Sequence, residues 1–247
     1  MSEFFLSIII PAHNEEERLP PSLELVADFV QQQSYPIEVI VVENGSSDQT
    51  LQVAQSFQQK MPFLRVISEQ QSGKGLAVKS GMLAARGTYR IFCDADFSMP
   101  VSEISKFIPA ENESYDIAIA SRELPGSRRV DEPEFRHLIG RVFNALVRYS
   151  LLPGLHDTQC GFKAFRGAIV PHLFNLQTMS GWSFDAELLF IAQRFQYKII
   201  EVPITWHYKP GTRLHIFKDS IQMASDLFTI RRNARQGLYD QKNQASH

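Results

Sequence analysis

Along the first 120 residues, short apolar runs alternate with amphipathic stretches. The runs are residues 4–10 (FFLSIII), 37–42 (IEVIVV), 63–67 (FLRVI), 89–93 (YRIFC) and 116–120 (DIAIA), each bounded by turn-forming residues. Continuous apolar runs of this length predict strands covered on both faces. Between them, Leu19, Leu23, Val26 and Val30, then Leu51, Ala54 and Phe57, then Leu76, Ser80, Leu83 and Ala84, then Val101, Ile104 and Ile108 mark helices, with Ser47 as the expected cap of the second. This alternation predicts an α/β fold: an open mixed sheet flanked by helices, mostly parallel in its N-terminal half.

Ligands of such sheets sit outside the carboxyl ends of the strands, and the polar motifs of this chain fall there. PAHNEEE (11–17) follows the first strand, ENGSSD (43–48) the second, QSGKG (71–75) precedes the third helix, and DADFS (94–98) follows the fourth strand. The stretch SGKGLAVKSG has neither the glycine spacing of a dinucleotide-binding turn nor the four residues a Walker A loop needs between Gly and Gly-Lys. A dinucleotide dehydrogenase and a P-loop enzyme are therefore disfavoured.

Side chains alternate across a strand, so Asp94 and Asp96 point the same way if the strand runs through them. Two carboxylates about 5 Å apart repel by about 3 kcal/mol at an effective dielectric of about 20. A cation or a bound proton relieves that repulsion. The same residues also suit a strand end and a turn ahead of a helix beginning near Ser98 and Pro100, so the motif alone does not choose.

Composition narrows the classes. With 247 residues, 44% of them hydrophobic, the chain can bury one large core or two small ones. A net charge of -2 spread through mixed charges gives no argument for a nucleic-acid partner. Cys93 and Cys160 lie far apart without metal-ligand spacing, which disfavours a disulfide framework and favours a reducing compartment. No apolar run approaches the ~20 residues of a membrane span, and MSEFFLSIII has no basic region before its apolar stretch. The expectation is a cytoplasmic chain, soluble or bound peripherally to the cytoplasmic face of a membrane.

Two later segments suit such a surface. In HLIGRVFNALVRYSLL (137–152), His137, Arg141, Asn144 and Arg148 form a narrow polar stripe on an otherwise apolar helix. In HIFKDSIQMASDLFTIRRN (215–233), Phe217, Ile221, Ala224 and Phe228 share a face that ends in Arg231 and Arg232, basic residues able to meet anionic headgroups. Periodicity fits packing against the domain equally well.

Taken together, SIIIPAHNEE, VIVVENGSSDQT, GKGLAVKSGMLAARG, FCDADFS, ASR, DTQCGFKAF, WSFDAELL and EVPITW resemble the family 2 glycosyltransferases, which have the GT-A fold, in the family's order from about residue 7 to 206. DTQCGFKAF and WSFDAELL further resemble the branch that makes dolichyl- or polyprenyl-phosphate glucose, with dolichyl-phosphate mannose synthases close by. The resemblance implies that Asp94 and Asp96 hold Mg2+ or Mn2+, which grips a nucleotide diphosphate, with Ser98 where the mannosyl branch has a third ligand. It puts Pro11, Ala12, Asn14, Glu15, Glu43, Lys74 and Ala95 on the donor side; Glu43 stands where the family usually has Asp. Arg122 and Arg136 match arginines that bind an acceptor phosphate, and Gln159, Lys163, Trp182, Asp185 and Arg213 join that side. Asp157 is a candidate base or orienting group beside Asp96. A helix through Asp185 and Glu187 turns them ~200° apart.

The implied reaction is an inverting, metal-dependent hexose transfer, glucose favoured, from UDP-glucose (GDP-mannose next) to a polyprenyl phosphate. The expected layout is one domain over 1–235: a nucleotide-sugar half (1–121), an acceptor half (122–213), an amphipathic helix (214–235), then a disordered polar tail (236–247). Transfer to a soluble sugar, glycan or protein hydroxyl, and a noncatalytic nucleotide-sugar binder, stay open as alternatives; the intact DADFS weighs against the latter.

Overall fold

The computed structural model describes residues 3–109, 114–209 and 216–240, with the backbone alone at 135–136, 138–139, 142–143 and 216–221. The five apolar runs become β1 (Phe4–Ala12), β2 (Ile37–Asn44), β3 (Leu64–Glu69), β4 (Gly87–Phe92) and β5 (Ile117–Ser121). Helices α1 (Leu19–Gln31), α2 (Thr50–Gln58) and α3 (Lys74–Ala84) connect the first four. The fourth expected helix is a 3-10 helix, Val101–Phe107. Ser47 does not cap α2: Asp48 Oδ1 accepts from the Thr50 amide at 3.0 Å, and the helix starts at Thr50, two residues later than a Ser47 cap implies.

The remaining elements are β6 (Arg128–Val130), α4 (Glu134–Ser150), β7 (Lys163–Arg166), α5 (Val170–Leu176), α6 (Phe184–Arg194), β8 (Ile199–Pro203), β9 (Thr205–His207) and α7 (Ile216–Arg235). The seven-stranded sheet runs β3-β2-β1-β4-β7-β5-β8, and β6 pairs with β9 in a separate ribbon. Only β7 runs antiparallel to its neighbours β4 and β5. Chain order moves outward from β1 through β2 to β3, then jumps back so that β4 lies on the other side of β1. The loops after β1 and β4 thus part in opposite directions and open a crevice at their carboxyl ends, the switch point where such sheets bind ligands.

Strand alternation divides the core. Ile8 and Ile10 face α1, Ala54 of α2 and the 3-10 helix, whereas Ile9 packs with α3, α5, α6 and the inner side of α7. β1, β2 and β5 are therefore apolar on both faces, which is why the sequence shows unbroken runs there.

The two expected surface helices are only partly surface. Asn144 of α4 is buried, its Nδ2 donating to the His156 carbonyl, so the stripe of His137, Arg141, Asn144 and Arg148 does not face one environment. Helix α7 packs through Met223, Leu227 and Ile230 and leaves Phe228 outward at 74% exposure; the side chains of Phe217 and Ile221 lie outside the described residues. Arg231 donates to the Ser150 carbonyl, joining α7 to the end of α4. Residues 236–240, counted with the polar tail on composition, carry the fully buried Tyr239. Among the described residues no helix is long and apolar enough to cross a membrane.

Candidate active site

The DADFS segment sits in the crevice with four of its five carbonyls bonded. The Cys93 amide extends the β1–β4 ladder by donating to Ile9 O at 2.9 Å, and the Phe97 amide closes a turn onto Asp94 O at 3.1 Å. Ser22 Oγ of α1 donates to Ala95 O at 2.6 Å, Lys209 Nζ to Asp96 O, and the His207 amide to Ser98 O at 2.8 Å. Phe97 has a φ of 44°, a conformation that costs a bulky residue on the order of 1–3 kcal/mol. Its buried ring, edge-on to Phe162 at 6.0 Å, offsets that strain. Ser98 is buried and turns its amide toward Asp96 Oδ1 at 2.9 Å, so it orients the carboxylate.

Lys74 opens α3 and ion-pairs with Asp94 Oδ1, while its ammonium lies 5.0 Å from the centre of the Trp182 ring. Burial works against this charge, yet Asp94 first, then Asp185 and Asp96, hold its pKa above the ordinary lysine value. Gly161, brought beside β4 by the antiparallel β7, leaves room for the Asp94 carboxylate: a Cβ would lie 2.0 Å from Asp94 Oδ2 and turn that side chain away. Among the described residues no three His, Cys, Asp or Glu side chains gather as a closed metal cage. Two carboxylates in an open crevice fit a hard divalent cation that shares its shell with phosphate and water, as Mg2+ commonly does.

The donor-side residues interlock two loops. Asn14, at φ 52°, accepts from the Ser47 amide at 2.7 Å while its own amide donates to Ser46 Oγ at 3.0 Å. Its short polar side chain tolerates the left-handed region where most residues do not. The Glu15 amide donates to Thr50 Oγ1 at 2.7 Å, and the Glu15 carboxylate pairs with Arg18. Glu43 is buried at the end of β2, one oxygen accepting from the Ser46 amide (2.6 Å) and the other from Ser68 Oγ (2.9 Å). Pro11 and the buried Ala12 close β1 beneath these loops.

On the acceptor side, Asp157 is buried and grips Arg122: its Oδ2 lies 2.7 Å from Nε, its Oδ1 accepts from Nη2 at 3.1 Å, and Oδ2 also accepts from the Arg122 amide. Burial alone would raise its pKa, but the guanidinium and these bonds bring it to about 2. A carboxylate held this way is a weak base, so its geometry fits the orienting role and not the base. Arg122, its pKa raised by the same partner, lies over the Trp206 ring at 5.5 Å. Gln159 donates its amide to Asp157 Oδ1 at 3.2 Å.

Lys163 is a correction. It is fully buried, donates to Cys160 O at 2.7 Å and pairs with Asp185 at 3.0 Å, so it supports Asp185 from inside and does not meet an acceptor. Burial raises the Asp185 pKa against the pull of Lys163 and Lys74, and its buried Oδ1 lacks a well-angled hydrogen bond. Trp182 stands with Lys74, on the donor side. Glu187 points away from Asp185, as the ~200° rotation requires, and takes hydrogen bonds from Thr178, Met179 and Tyr239. Arg213 and the Arg136 side chain lie outside the described residues.

Sequence reasoning missed Ser22, Lys209, Gly161, Trp206 and Glu201, whose carboxylate accepts from the His156 and Asp157 amides. Gly161 had a usable signal, a glycine inside a motif ending in a strand. The others act through contacts distant in sequence.

Because the folded pKa of Asp157 lies below its ordinary 3.8, the pair's contribution is present above that value and is lost as pH falls toward about 2. Asp157→Asn is expected to lower stability at neutral pH by about 2–5 kcal/mol and to flatten the acid limb between those values. Denaturant unfolding across pH checks both; an unchanged acid limb contradicts the pairing.

A family model described as Glycosyl transferase family 2 matches residues 7–174. The dolichyl-phosphate beta-glucosyltransferase of Dictyostelium discoideum is 32% identical over 98% of this chain and 79% of its own length. Those of Saccharomyces cerevisiae and Homo sapiens are each 34% identical, over 96% and 92% of this chain and 77% and 74% of their own. Among solved structures, glucosyl-3-phosphoglycerate synthase from Mycobacterium tuberculosis in complex with UDP superposes with a TM-score of 0.65 at 19% identity, covering 98% of this chain and 82% of that one. Its complex with Mn2+ and UDP-glucose gives 0.63 at 19% identity, over 95% and 80%. The fold is thus that of the GT-A glycosyltransferases, and the chain belongs to glycosyltransferase family 2.

Proposed function

We propose that this chain transfers glucose from UDP-glucose, with inversion at C1, to a dolichyl or related polyprenyl phosphate at the cytoplasmic face of a membrane. The observation that carries the reading is the convergence of Asp94, Asp96 and the charged Lys74 at the sheet's switch point. The names of the curated relatives support the sugar and the acceptor. Asp94 and Asp96 would hold Mg2+ or Mn2+, which when bound supplies Lewis-acid stabilisation of the departing diphosphate. Lys74 adds a positive charge to the same region, and the interlocked loops of Asn14 and Glu43 shape the nucleotide pocket.

A phosphate monoester is already anionic near neutral pH, so the attacking oxygen needs little help from a base. That chemistry suits a site whose Asp157 is committed to Arg122. Arg122 keeps a permanent charge and more N–H donors than Asp157 occupies, which suits an acceptor phosphate. Asp185, held from inside by Lys163 through Oδ1, would take a sugar hydroxyl on its other oxygen and so align C1 with the attacking oxygen.

The membrane part rests on exposed apolar groups. Tyr149 is 89% exposed and Leu146 48% on α4, and Phe228 stands outward on α7, which Arg231 ties to α4. Arg148 and Arg232 are carried by the same two helices. Apolar groups with nearby arginines suit an anionic interface, and two free, buried cysteines suit a reducing compartment.

A donor panel with radiolabelled UDP-glucose, UDP-galactose and GDP-mannose, scored by lipid-extractable product, should show UDP-glucose as the best donor. Asp96→Asn should lose at least about 100-fold in rate, the scale of a lost electrostatic stabiliser, with an unchanged fold. Preference for GDP-mannose would overturn the donor, and product confined to the aqueous phase would favour a soluble hydroxyl acceptor. In vesicle sedimentation, wild type should pellet with anionic lipid at low salt and be released by salt, with Phe228→Asp plus Arg232→Gln weakening the association. Wild type in the supernatant under those conditions sinks the surface reading while leaving the acceptor reading intact.

A further inference from the structure

The loop between α5 and α6, residues 177–183, lies beyond the stretch the family model matches, yet it packs directly on the start of α3. The Gly75 amide donates to Ser180 O at 2.8 Å, and Gln177 Nε2 donates to Gly75 O at 2.9 Å. Lys79 donates to Gln177 O at 3.1 Å. The fit leaves no room: a Cβ on Gly73 would lie 2.7 Å from Ser180 O, and one on Gly75 2.7 Å from Met179 O. Lys74 stands between those two glycines, with the loop's own Trp182 against its ammonium.

From behind, the loop is held by the C-terminal segment. The fully buried Glu187 accepts from the Thr178 amide (2.9 Å), the Met179 amide (2.8 Å) and Tyr239 Oη (2.7 Å). Asn233 Nδ2 donates to Thr178 Oγ1 at 3.1 Å, and Ser183 Oγ donates to Asp226 Oδ2 at 2.6 Å. Among the described residues, Asp226, Asn233 and Tyr239 make no hydrogen bond to Lys74, Asp94 or Asp96. Their shared target is the loop.

We propose that Asp226, Asn233 and Tyr239 are positioning residues for the donor site, acting through the 177–183 loop to hold Lys74 and Trp182 in register with Asp94. The proposal rests on the reading of Lys74 as a donor-binding group. A buried carboxylate bonded to two backbone amides is a rigid anchor, and removing one of its bonds loosens the loop without opening the core. The end of the chain therefore sets the geometry of a site built mostly from its first half.

The test is a double-mutant cycle on the full chain, with UDP affinity measured by calorimetry in the presence of Mn2+ and thermal unfolding followed in parallel. Tyr239→Phe keeps the ring and leaves Glu187 its Thr178 and Met179 donors, so it should unfold within a few degrees of wild type. It should weaken UDP by about five-fold, the scale of one ordinary hydrogen bond felt at a distance, and raise the donor KM more than it lowers kcat. Lys74→Ala should weaken UDP further, and adding Tyr239→Phe to it should have no further effect, because the loop acts through Lys74. Unchanged UDP affinity in Tyr239→Phe overturns the proposal, as does an undiminished loss in the Lys74→Ala background. Unchanged affinity in Lys74→Ala overturns the donor reading of that lysine, and the route through it. If Tyr239→Phe does not fold, Asp226→Ala, which removes the acceptor of the Ser183 hydroxyl, carries the same cycle.

Discussion

Two aspartates one residue apart at a strand end repel each other, and much of this structure serves to keep them there. Lys74 answers the charge of Asp94, the Ser98 amide holds Asp96, and the carbonyls of Asp94, Ala95, Asp96 and Ser98 are each bonded. The donors come from the turn itself, α1, β9 and the residues just after it. A turn fixed from so many directions needs little reorganisation when a cation and a diphosphate arrive, which is how preorganised electrostatic sites work.

The same logic recurs in two buried pairs. Arg122–Asp157 and Lys163–Asp185 each place a cation and a carboxylate where neither would be stable alone. In the first, the carboxylate is inner and the arginine is presented toward the crevice. In the second, the lysine is fully buried and the aspartate keeps the slight exposure of the pair. Each pair therefore has one deeply buried member and one less buried member, a difference that residue type alone does not reveal.

This asymmetry explains what was legible in the sequence. The N-terminal βα units were, because strands buried on both faces read as unbroken apolar runs, and the polar motifs follow them at the carboxyl ends. The C-terminal half was less so: β6, β7 and β9 have three or four residues each and no distinct period. Lys163 and Asn144 look available in the sequence, as a charged or amide residue in a motif does, whereas pairing across 22 and 12 residues buries them. Tyr239 was hidden by the polar residues around it, since one buried aromatic gives no periodicity. The resemblance to glycosyltransferases supplied the candidate site, and the hydrogen bonds show how its residues are held.

The central claim is that Asp94, seated against Gly161, forms one half of a divalent-cation site shared with the nucleotide. Electron paramagnetic resonance of Mn2+ in the presence of UDP tests it most directly, comparing wild type with Gly161→Ala. That variant keeps both carboxylates but puts a methyl group where Asp94 Oδ2 now lies, 2.0 Å from the added carbon. The wild-type chain should bind one Mn2+, and the variant should bind it about ten-fold or more weakly at an unchanged circular dichroism spectrum. Equal Mn2+ affinity in the two proteins would contradict the claim.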